Sequence, residues 1–584
     1  MTQTASLTNK FTGKRHDLAC SVVLGLVLGG TSFGSLATVG VREYSFLKGD
    51  LAPLIIVAAT VGIFAITAIG GYAILRNIDR FLAWADRKEP LQKLPLAFDK
   101  RSIVLATVVI LVLWIPYIVL QYPTAMNGDT YNQLYQFQTS SPTFYTTKGI
   151  TVEESFVDHH PVFDTLVFGA FLSFGDLVGS QNLGLFAYSL FQCILMATGL
   201  ALTCCYLDKL GVPKVLRLVL LAFCALFPPI PCWACVMVKD SLNSAVYIYF
   251  CLLVAEAVRS RGKVFDSKAM IVWFIVLGCL CILTKKSGAI VVALSAIALL
   301  VYLRSRWVAL GCGLVVPLVV CFALVPAVVY PAIGGVAPGG KQEAFGFAFQ
   351  QVITAMNEND DLADGEREAL GKVLNVKKAQ EKYRADLADP VKNRARDNAT
   401  TEDYLRFIPA YFSIGVRHPV AYTASVFSIA GTLLTPGRTF SFFDTPEQED
   451  SWIKNFTDND TKGELHLTFD KPEPVKSWMK TASEGWRAFV RMLGPFQVPF
   501  NTGFYSGWIP LICLIICLFH DKRYAIALAP MLAYLLIIVL GPASSVRYMI
   551  SFAYVTPLML GLLCASLRIR AAQPAAVEDV QENE

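Results

Sequence analysis

The chain has 584 residues, of which 54% are hydrophobic and only 16% charged, with a formal net charge of +5 and a mean hydropathy of +0.50. Ordinary soluble domains carry roughly 25% charged residues, so the composition excludes a soluble enzyme and describes an all-α polytopic membrane protein. The basic excess lies in short loops between apolar runs, which is a topology signal and gives no reason to expect a nucleic-acid partner.

Apolar runs of about 17–25 residues mark membrane-spanning helices. About twelve are expected, at 18–40, 51–75, 103–121, 183–207, 216–230, 242–258, 269–284, 288–303, 308–329, 504–519, 524–540 and 548–567. The first run is too long for the apolar core of a signal peptide and has no clear cleavage site, so it reads as a span. Lys14 and Arg15 precede it, and Arg76, Arg80 and Arg87 follow the second. Lys209 and Lys214, then Arg259, Arg261 and Lys263, then Arg304 and Arg306, Lys522 and Arg523, and Arg568 and Arg570 occupy every second loop thereafter. All fall on the cytoplasmic side if both termini are cytoplasmic. That agreement requires 162–177 and 419–434, which are apolar but short, to lie at the interface or re-enter without spanning.

The division that follows has five parts. Residues 1–101 form a cytoplasmic N-terminus with two accessory helices. Residues 102–333 form a membrane core whose first outer loop is 122–182. An extracytoplasmic region, 334–503, is inserted before the C-terminal helices of 504–567. Residues 568–584 form a cytoplasmic tail whose Ala-rich, then acidic composition reads as disordered. The inserted region holds a helical stretch at 365–386 rich in Glu, Lys, Arg and Ala, then Asp389-Pro390-Val391-Lys392, and an aromatic run at 440–443. Asn398 and Asn455 open glycosylation sequons, a pattern frequent by chance. Most of the fifteen cysteines fall in apolar segments, and Cys232-Trp233-Ala234-Cys235 reads as packing more readily than as a redox motif.

Ionisable groups are costly near lipid and tend to mark function. Here they gather at the outer ends of the expected helices. The first outer loop opens with Asn127-Gly128-Asp129-Thr130-Tyr131 and later carries Asp158-His159-His160-Pro161, which holds two of the six histidines. Lys239-Asp240 stands at the start of the sixth span, Lys285-Lys286 between the seventh and eighth, and Arg547-Tyr548 at the start of the twelfth. A solute transporter more often places its site near the bilayer midplane. A ring at the membrane boundary suits a substrate with a lipid tail and a polar headgroup. Lys239, Lys285, Lys286 and Arg547 offer cations for a phosphate. Asp129 offers a general base for an acceptor hydroxyl that attacks a sugar carbon, with the leaving lipid phosphate stabilised by lysine, arginine or protonated histidine.

Each residue also has a plainer reading. Asp129 after Asn-Gly suits a helix cap, and His159-His160-Pro161 suits an ordinary helix start. Lys239-Asp240 suits a local salt bridge, Lys285-Lys286 suits a surface turn, and Arg547 suits a lipid anchor. Asp389 and Lys392 read as structural. Two adjacent histidines diverge on a helix, which disfavours them as a metal pair, although a divalent metal stays compatible with the composition of the cluster.

These features resemble the GT-C superfamily of integral-membrane glycosyltransferases, which includes protein mannosyltransferases and lipid A aminoarabinose transferases. Those enzymes have a catalytic acid just after a helix in a large first outer loop, here Asp129. Further along they have a His-Pro motif opening an interfacial helix, here His159-His160-Pro161-Val162-Phe163, and basic residues on later outer loops. More narrowly the chain resembles a bacterial group of such proteins through Gly128-Asp129-Thr130, His160-Pro161, Lys239-Asp240, Asp389-Pro390-Val391-Lys392 and Arg547-Tyr548. The resemblance is best from 101 to 330. It departs in the two extra N-terminal spans, in the position of the soluble region, and in Val162 where many relatives have a second proline.

The resemblance implies a GT-C-like fold and transfer of a sugar from a polyprenyl-phosphate donor to a cell-envelope glycan, lipid or protein acceptor. Asp129 is then the general base, with Asp158, His159, His160, Lys239, Asp240, Lys285, Lys286, Arg547 and Tyr548 binding substrate. The resemblance makes no cofactor certain and leaves a divalent metal open, since some relatives use one and others do not. Two other readings stand beside it: a flippase or polymerase partner for lipid-linked glycans, and a membrane sensor with an outer ligand-binding region.

Overall fold

The computed structural model describes residues 2–43, 47–87, 94–140, 154–441, 451, 453–454, 457–458 and 465–581. It is 79% helical with almost no sheet. Seven helices are long and apolar enough to cross a membrane: Lys14–Glu43, Ala52–Asp86, Lys100–Leu120, Gln181–Tyr206, Lys239–Arg259, Arg304–Ala332 and Val546–Arg568. The chain is therefore built as a multi-pass membrane protein.

Four more of the expected spans are apolar helices of lesser length: Lys268–Thr284, Gly288–Tyr302, Phe504–His520 and Ala529–Val539. The run at 524–540 is not continuous. It breaks at Leu528, and Pro530 opens the helix that follows. The run at 216–230 yields only Lys214–Leu226, 13 residues, about 20 Å of helix. Phe227 ends it before Pro228 and Pro229, because proline cannot donate to the preceding turn. The last helix extends through Gln581, so the tail that reads as disordered from its composition is helical in backbone.

Two helices form the centre. In Lys239–Arg259 and Val546–Arg568, 89% of the apolar window is buried, against 11% in Ala52–Asp86, which leaves most of its apolar surface outward. An apolar helix buried all round belongs to a bundle interior, and one exposed along its length needs lipid. All fifteen cysteines are free, with Cys232 and Cys235 buried, as the packing reading expects.

The Val162–Leu177 helix begins after Pro161 and is not among the seven. It crosses Gln181–Tyr206 closely. A Cβ on Gly184 would lie 2.3 Å from the Phe171 carbonyl oxygen and 2.7 Å from Gly175 Cα, so small residues set the approach, as at many membrane helix crossings. This crossing fixes where the preceding His159-His160 pair is delivered.

The inserted region has a small core of its own around Phe349, Val352, Ile353, Leu370, Phe407 and Ile414. Its expected helical stretch is present as Asp364–Val373 and Val376–Glu381. Thr400 caps the Thr401–Arg417 helix by accepting from the Asp403 amide, while Asp403 accepts from the Thr400 amide. Backbone pairing helps tie this region to the rest of the chain. Strand Phe156–Asp158 pairs in parallel with Val336–Pro338, and the Ala388 amide donates to the Pro542 carbonyl at 2.8 Å. The turn before the second strand uses Gly334 and Gly335 at φ +91° and +87°, a region that disfavours other residues. Asn398 is exposed. Asn455 and Phe456 of the second sequon, and Phe442 and Phe443 of the aromatic run, lie outside the described residues.

Candidate functional site

Asp129 is not a helix cap. Asn127 takes that place in Gly128–Thr139, its side chain accepting from the Thr130 amide. The Asp129 carboxylate therefore keeps its oxygens for partners outside its own helix. Thr130 Oγ1 bonds the Met237 carbonyl and the Met237 amide donates to the Ala125 carbonyl at 2.8 Å. These bonds hold the Asp129 turn against the start of Lys239–Arg259.

Six segments then converge. Arg547 Nη1 donates to Asp129 Oδ2 at 2.6 Å, and Lys239 Nζ lies 3.4 Å from the same oxygen. Lys239 also donates to His160 Nδ1 at 2.8 Å, and that nitrogen is 4.0 Å from Asp129. Arg547 Nε is 3.6 Å from Asp240 Oδ2, and its Nη2 donates to the Tyr548 hydroxyl at 3.1 Å. Lys285 closes the ring by donating to Asp240 Oδ1 at 2.6 Å and to the Tyr534 hydroxyl at 3.0 Å. Lys239 and Asp240 thus pair with partners far away in sequence, and Arg547 reaches a carboxylate instead of a lipid headgroup.

Two flanking groups complete the expected set. Lys286 pairs with Asp158 at 2.8 Å. His159 Nδ1 is 3.8 Å from Glu343 Oε1, and Glu343 in turn pairs with Lys392 at 2.7 Å. Lys392 also bonds Asp389 at 2.8 Å, so Asp389 and Lys392 bind the inserted region to the site's edge. Among the described residues, the histidines and carboxylates of this ring do not assemble three ligand atoms close enough to share a metal.

The protonation states follow from burial and neighbours. Burial pushes the Asp129 carboxyl up, but Lys239, Arg547 and His160 outweigh it and hold it well below the ordinary carboxylate range. Burial, then Lys239, drive His160 well below its ordinary value. Its neutral form is therefore favoured and accepts from Lys239, which leaves Lys239 and Arg547 as the cations nearest Asp129. Burial also lowers His159, against Glu343. Burial would discharge Lys285, yet Asp240 and Tyr534 prevail and raise it above the ordinary lysine range.

Sequence reasoning missed four residues. Glu343 faces His159 from the inserted region. Tyr534 accepts from Lys285, and Ser551 donates to Tyr534 at 3.3 Å; both sit in helices that read only as apolar spans. Asp164 is fully buried in the first turn of Val162–Leu177. Neither of its oxygens has a hydrogen-bond partner among the described residues, and burial raises it well above the ordinary range, so it is a neutral acid near Lys239 and Asp240. A carboxylate three residues past Pro161 in an otherwise apolar helix was the signal that could have found it.

The charge balance is the distinctive property. The connected ring has three cations, Lys239, Lys285 and Arg547, against two carboxylates, Asp129 and Asp240, with His160 and Asp164 neutral. A surplus cation out of bulk water is costly unless an anion joins it. Beside the ring runs a cleft of about 170 Å³ between Val162–Leu177, Lys268–Thr284 and the Val320–Val329 segment. Val162, Phe163, Leu166, Phe322 and Val325 line it, and Asp158 and Lys286 stand at its polar margin. The Val320–Val329 wall has widened, π-type turns and contains Pro326, which removes a backbone donor.

A family model described as a family of unknown function, DUF6020, matches residues 72–576, a span that takes in every residue of the ring. No curated protein and no solved structure matches the chain.

Proposed function

We propose that this chain, which belongs to the DUF6020 family, is a glycosyltransferase of the cytoplasmic membrane. It moves a sugar from a polyprenyl-phosphate donor to a cell-envelope acceptor on the outer face. In this reading the shorter apolar helices complete a set of about twelve spans with GT-C-like organisation. Both termini are cytoplasmic and the ring faces outward. The reading rests above all on one observation: a carboxylate, Asp129, held at 2.6 Å and 3.4 Å by Arg547 and Lys239 in a ring with one cation too many.

The donor phosphate supplies the missing anion. Lys239 and Arg547 bind it as the leaving group, and charge-assisted hydrogen bonds of this kind are the strong ones. Its isoprenoid tail lies along the apolar cleft past Phe163 and Phe322, with Lys286 at the headgroup level. Binding also changes Asp129. In the empty site its cationic neighbours make it a weak base. A phosphate that shares those cations weakens their hold on the carboxylate and raises its proton affinity when a base is needed. The acceptor oxygen then attacks the anomeric carbon, its proton passes to Asp129, and the bond from that carbon to the phosphate oxygen breaks with its electron pair going to the phosphate. The configuration inverts. His160 positions Lys239 by accepting its proton in a hydrogen bond, and Asp240 with Tyr534 positions Lys285.

Purified protein in lipid vesicles tests this with a radiolabelled polyprenyl-phosphate sugar pool extracted from the source membranes and an envelope fraction as acceptor. Label should move to the acceptor with wild type and not with Asp129→Asn. Label that crosses the bilayer with no acceptor modified would replace this reading with a flippase, and neither event would leave a sensor.

A further inference from the structure

A second polar cluster occupies the opposite end of the bundle. The first residues of Phe504–His520 pack near Thr435 and Leu434, through Gly503 and Gly507, and Thr432 there bonds Ser544, just before Arg547. The C-terminal part of the first helix reaches the same level, where Ser35 and Val39 meet Gly431. His520 ends its helix, and His16 and Asp17 lie about five turns before Ser35 in the Thr2–Ser35 helix, so these three residues lie about 25 Å from that level by the rise of an α-helix.

His16, Asp17 and His520 each present one ligand atom, and these atoms all lie within 4.8 Å of one another. The arrangement has the parts of a metal site beyond the ligands themselves. His520 Nδ1 is 3.0 Å from the Ile516 carbonyl. A proton there donates to that carbonyl, which leaves Nε2 as the lone-pair nitrogen directed at Asp17 Oδ1, 3.8 Å away. A metal-binding histidine characteristically donates its other N–H to a carbonyl or carboxylate. Asp17 is fully buried, and Arg76 lies 3.6 Å from its other oxygen, so a cation faces the carboxylate from behind. His16 is exposed, packs edge-on against His520 at 5.3 Å between ring centroids, and leaves the site open to solvent on one side.

We infer that His16, Asp17 and His520 form a site for a divalent transition metal, zinc by ligand type, that joins the first helix to Phe504–His520. Two imidazoles and one carboxylate are a common zinc set with a fourth position for water. Bond lengths of about 2.0–2.2 Å for such ligands require the three atoms to draw in by less than a side-chain rotation. Asp17 balances Arg76, so the metal's own charge is met by its fourth ligand and by solvent on the open His16 side. His16 and Asp17 precede the family match at 72–576 and His520 lies inside it, so the site is independent of the ring's proposed chemistry.

Cobalt(II) is the probe, titrated into full-length protein in nanodiscs stripped of metal. Wild type should take up one equivalent with the visible d–d bands of a low-coordinate nitrogen–oxygen site and no thiolate charge-transfer band. His520→Ala and Asp17→Asn should each weaken uptake by about tenfold or more. His16→Ala changes an exposed ring and keeps the test valid should the buried variants misfold; it too should weaken uptake about tenfold. Zinc should displace the cobalt. Uptake that is equal in all four proteins, that is absent in wild type, or that carries a thiolate band would overturn the site in favour of a plain His–Asp–Arg ion-pair network.

Discussion

The two ends of this bundle each hold a polar cluster, and the two differ in charge balance. At one end a carboxylate, Asp129, is outnumbered by cations and sits beside a neutral histidine that accepts from Lys239. At the other end a carboxylate, Asp17, sits between two histidines and one arginine. The first arrangement wants an anion and the second wants a metal cation. The same residue types favour different ligands because the ring leaves a cation unbalanced, whereas at the other end the charges balance and two imidazoles converge with a carboxylate.

The largest effect that would sharpen this contrast is at Asp129. Asp129→Asn should lower transfer by at least about 100-fold, the usual weight of a general base, while cobalt uptake at the opposite end stays unaltered. A loss of both would show that the two ends are one cooperative unit. Arg547→Lys should come next, at about tenfold. It keeps the charge but loses the planar fork that reaches Asp129, Asp240 and Tyr548 together. Equal activity would mean that only the net charge of the ring matters.

A pH effect separates the two histidine environments. His160 has a depressed value in the folded protein, so the unfolded chain binds its proton more readily. The stability it contributes is complete above the unfolded value of about 6.5 and is lost as pH falls toward the folded value. The melting temperature of wild type relative to His160→Gln, which can still accept from Lys239, should therefore fall between roughly pH 7 and pH 5, while Asp164, raised in the folded protein, acts in the opposite direction in both proteins alike. Asp129 is also depressed, but its contribution is complete above about pH 3.9 and lost only below, so it adds nothing in that window. The smallest effect is expected at Asp164. It is already neutral, so Asp164→Asn should change transfer by less than about threefold. A larger loss would make Asp164 an ionised member of the ring and cancel the surplus cation.

The sequence shows the elements better than their ends. Long apolar runs mark all seven long helices, since a run of about 17 or more apolar residues matches the thickness of the hydrocarbon layer and exceeds what most soluble cores bury in one helix. The runs at 216–230 and 524–540 overstate the length of continuous helix because hydropathy averages over Pro228 and Pro530, which carry no backbone donor. In the ring, Asp129, His160, Lys239, Asp240, Lys285 and Arg547 are legible because charge is rare in an apolar chain. Their pairing is not. Lys239 and Asp240 adjoin in sequence yet point to different partners, and Asn127 takes the capping role that Asp129 also fits. Glu343 is hidden among the many charges of a polar region, where only the pairing of 156–158 with 336–338 brings it to His159. Tyr534 and Asp164 are hidden inside apolar helices, where one polar atom leaves no periodic trace.

The central claim is that Asp129 takes a proton during transfer from a lipid-phosphate donor. Cells lacking the protein, and carrying wild type or Asp129→Asn at equal membrane abundance, can be compared for polyprenyl-phosphate-linked sugars by mass spectrometry of extracted lipids. One such lipid should accumulate in the deletion strain and with Asp129→Asn, and return to its ordinary level with wild type. Full return with Asp129→Asn, or no lipid-linked sugar changing in any strain, would contradict it.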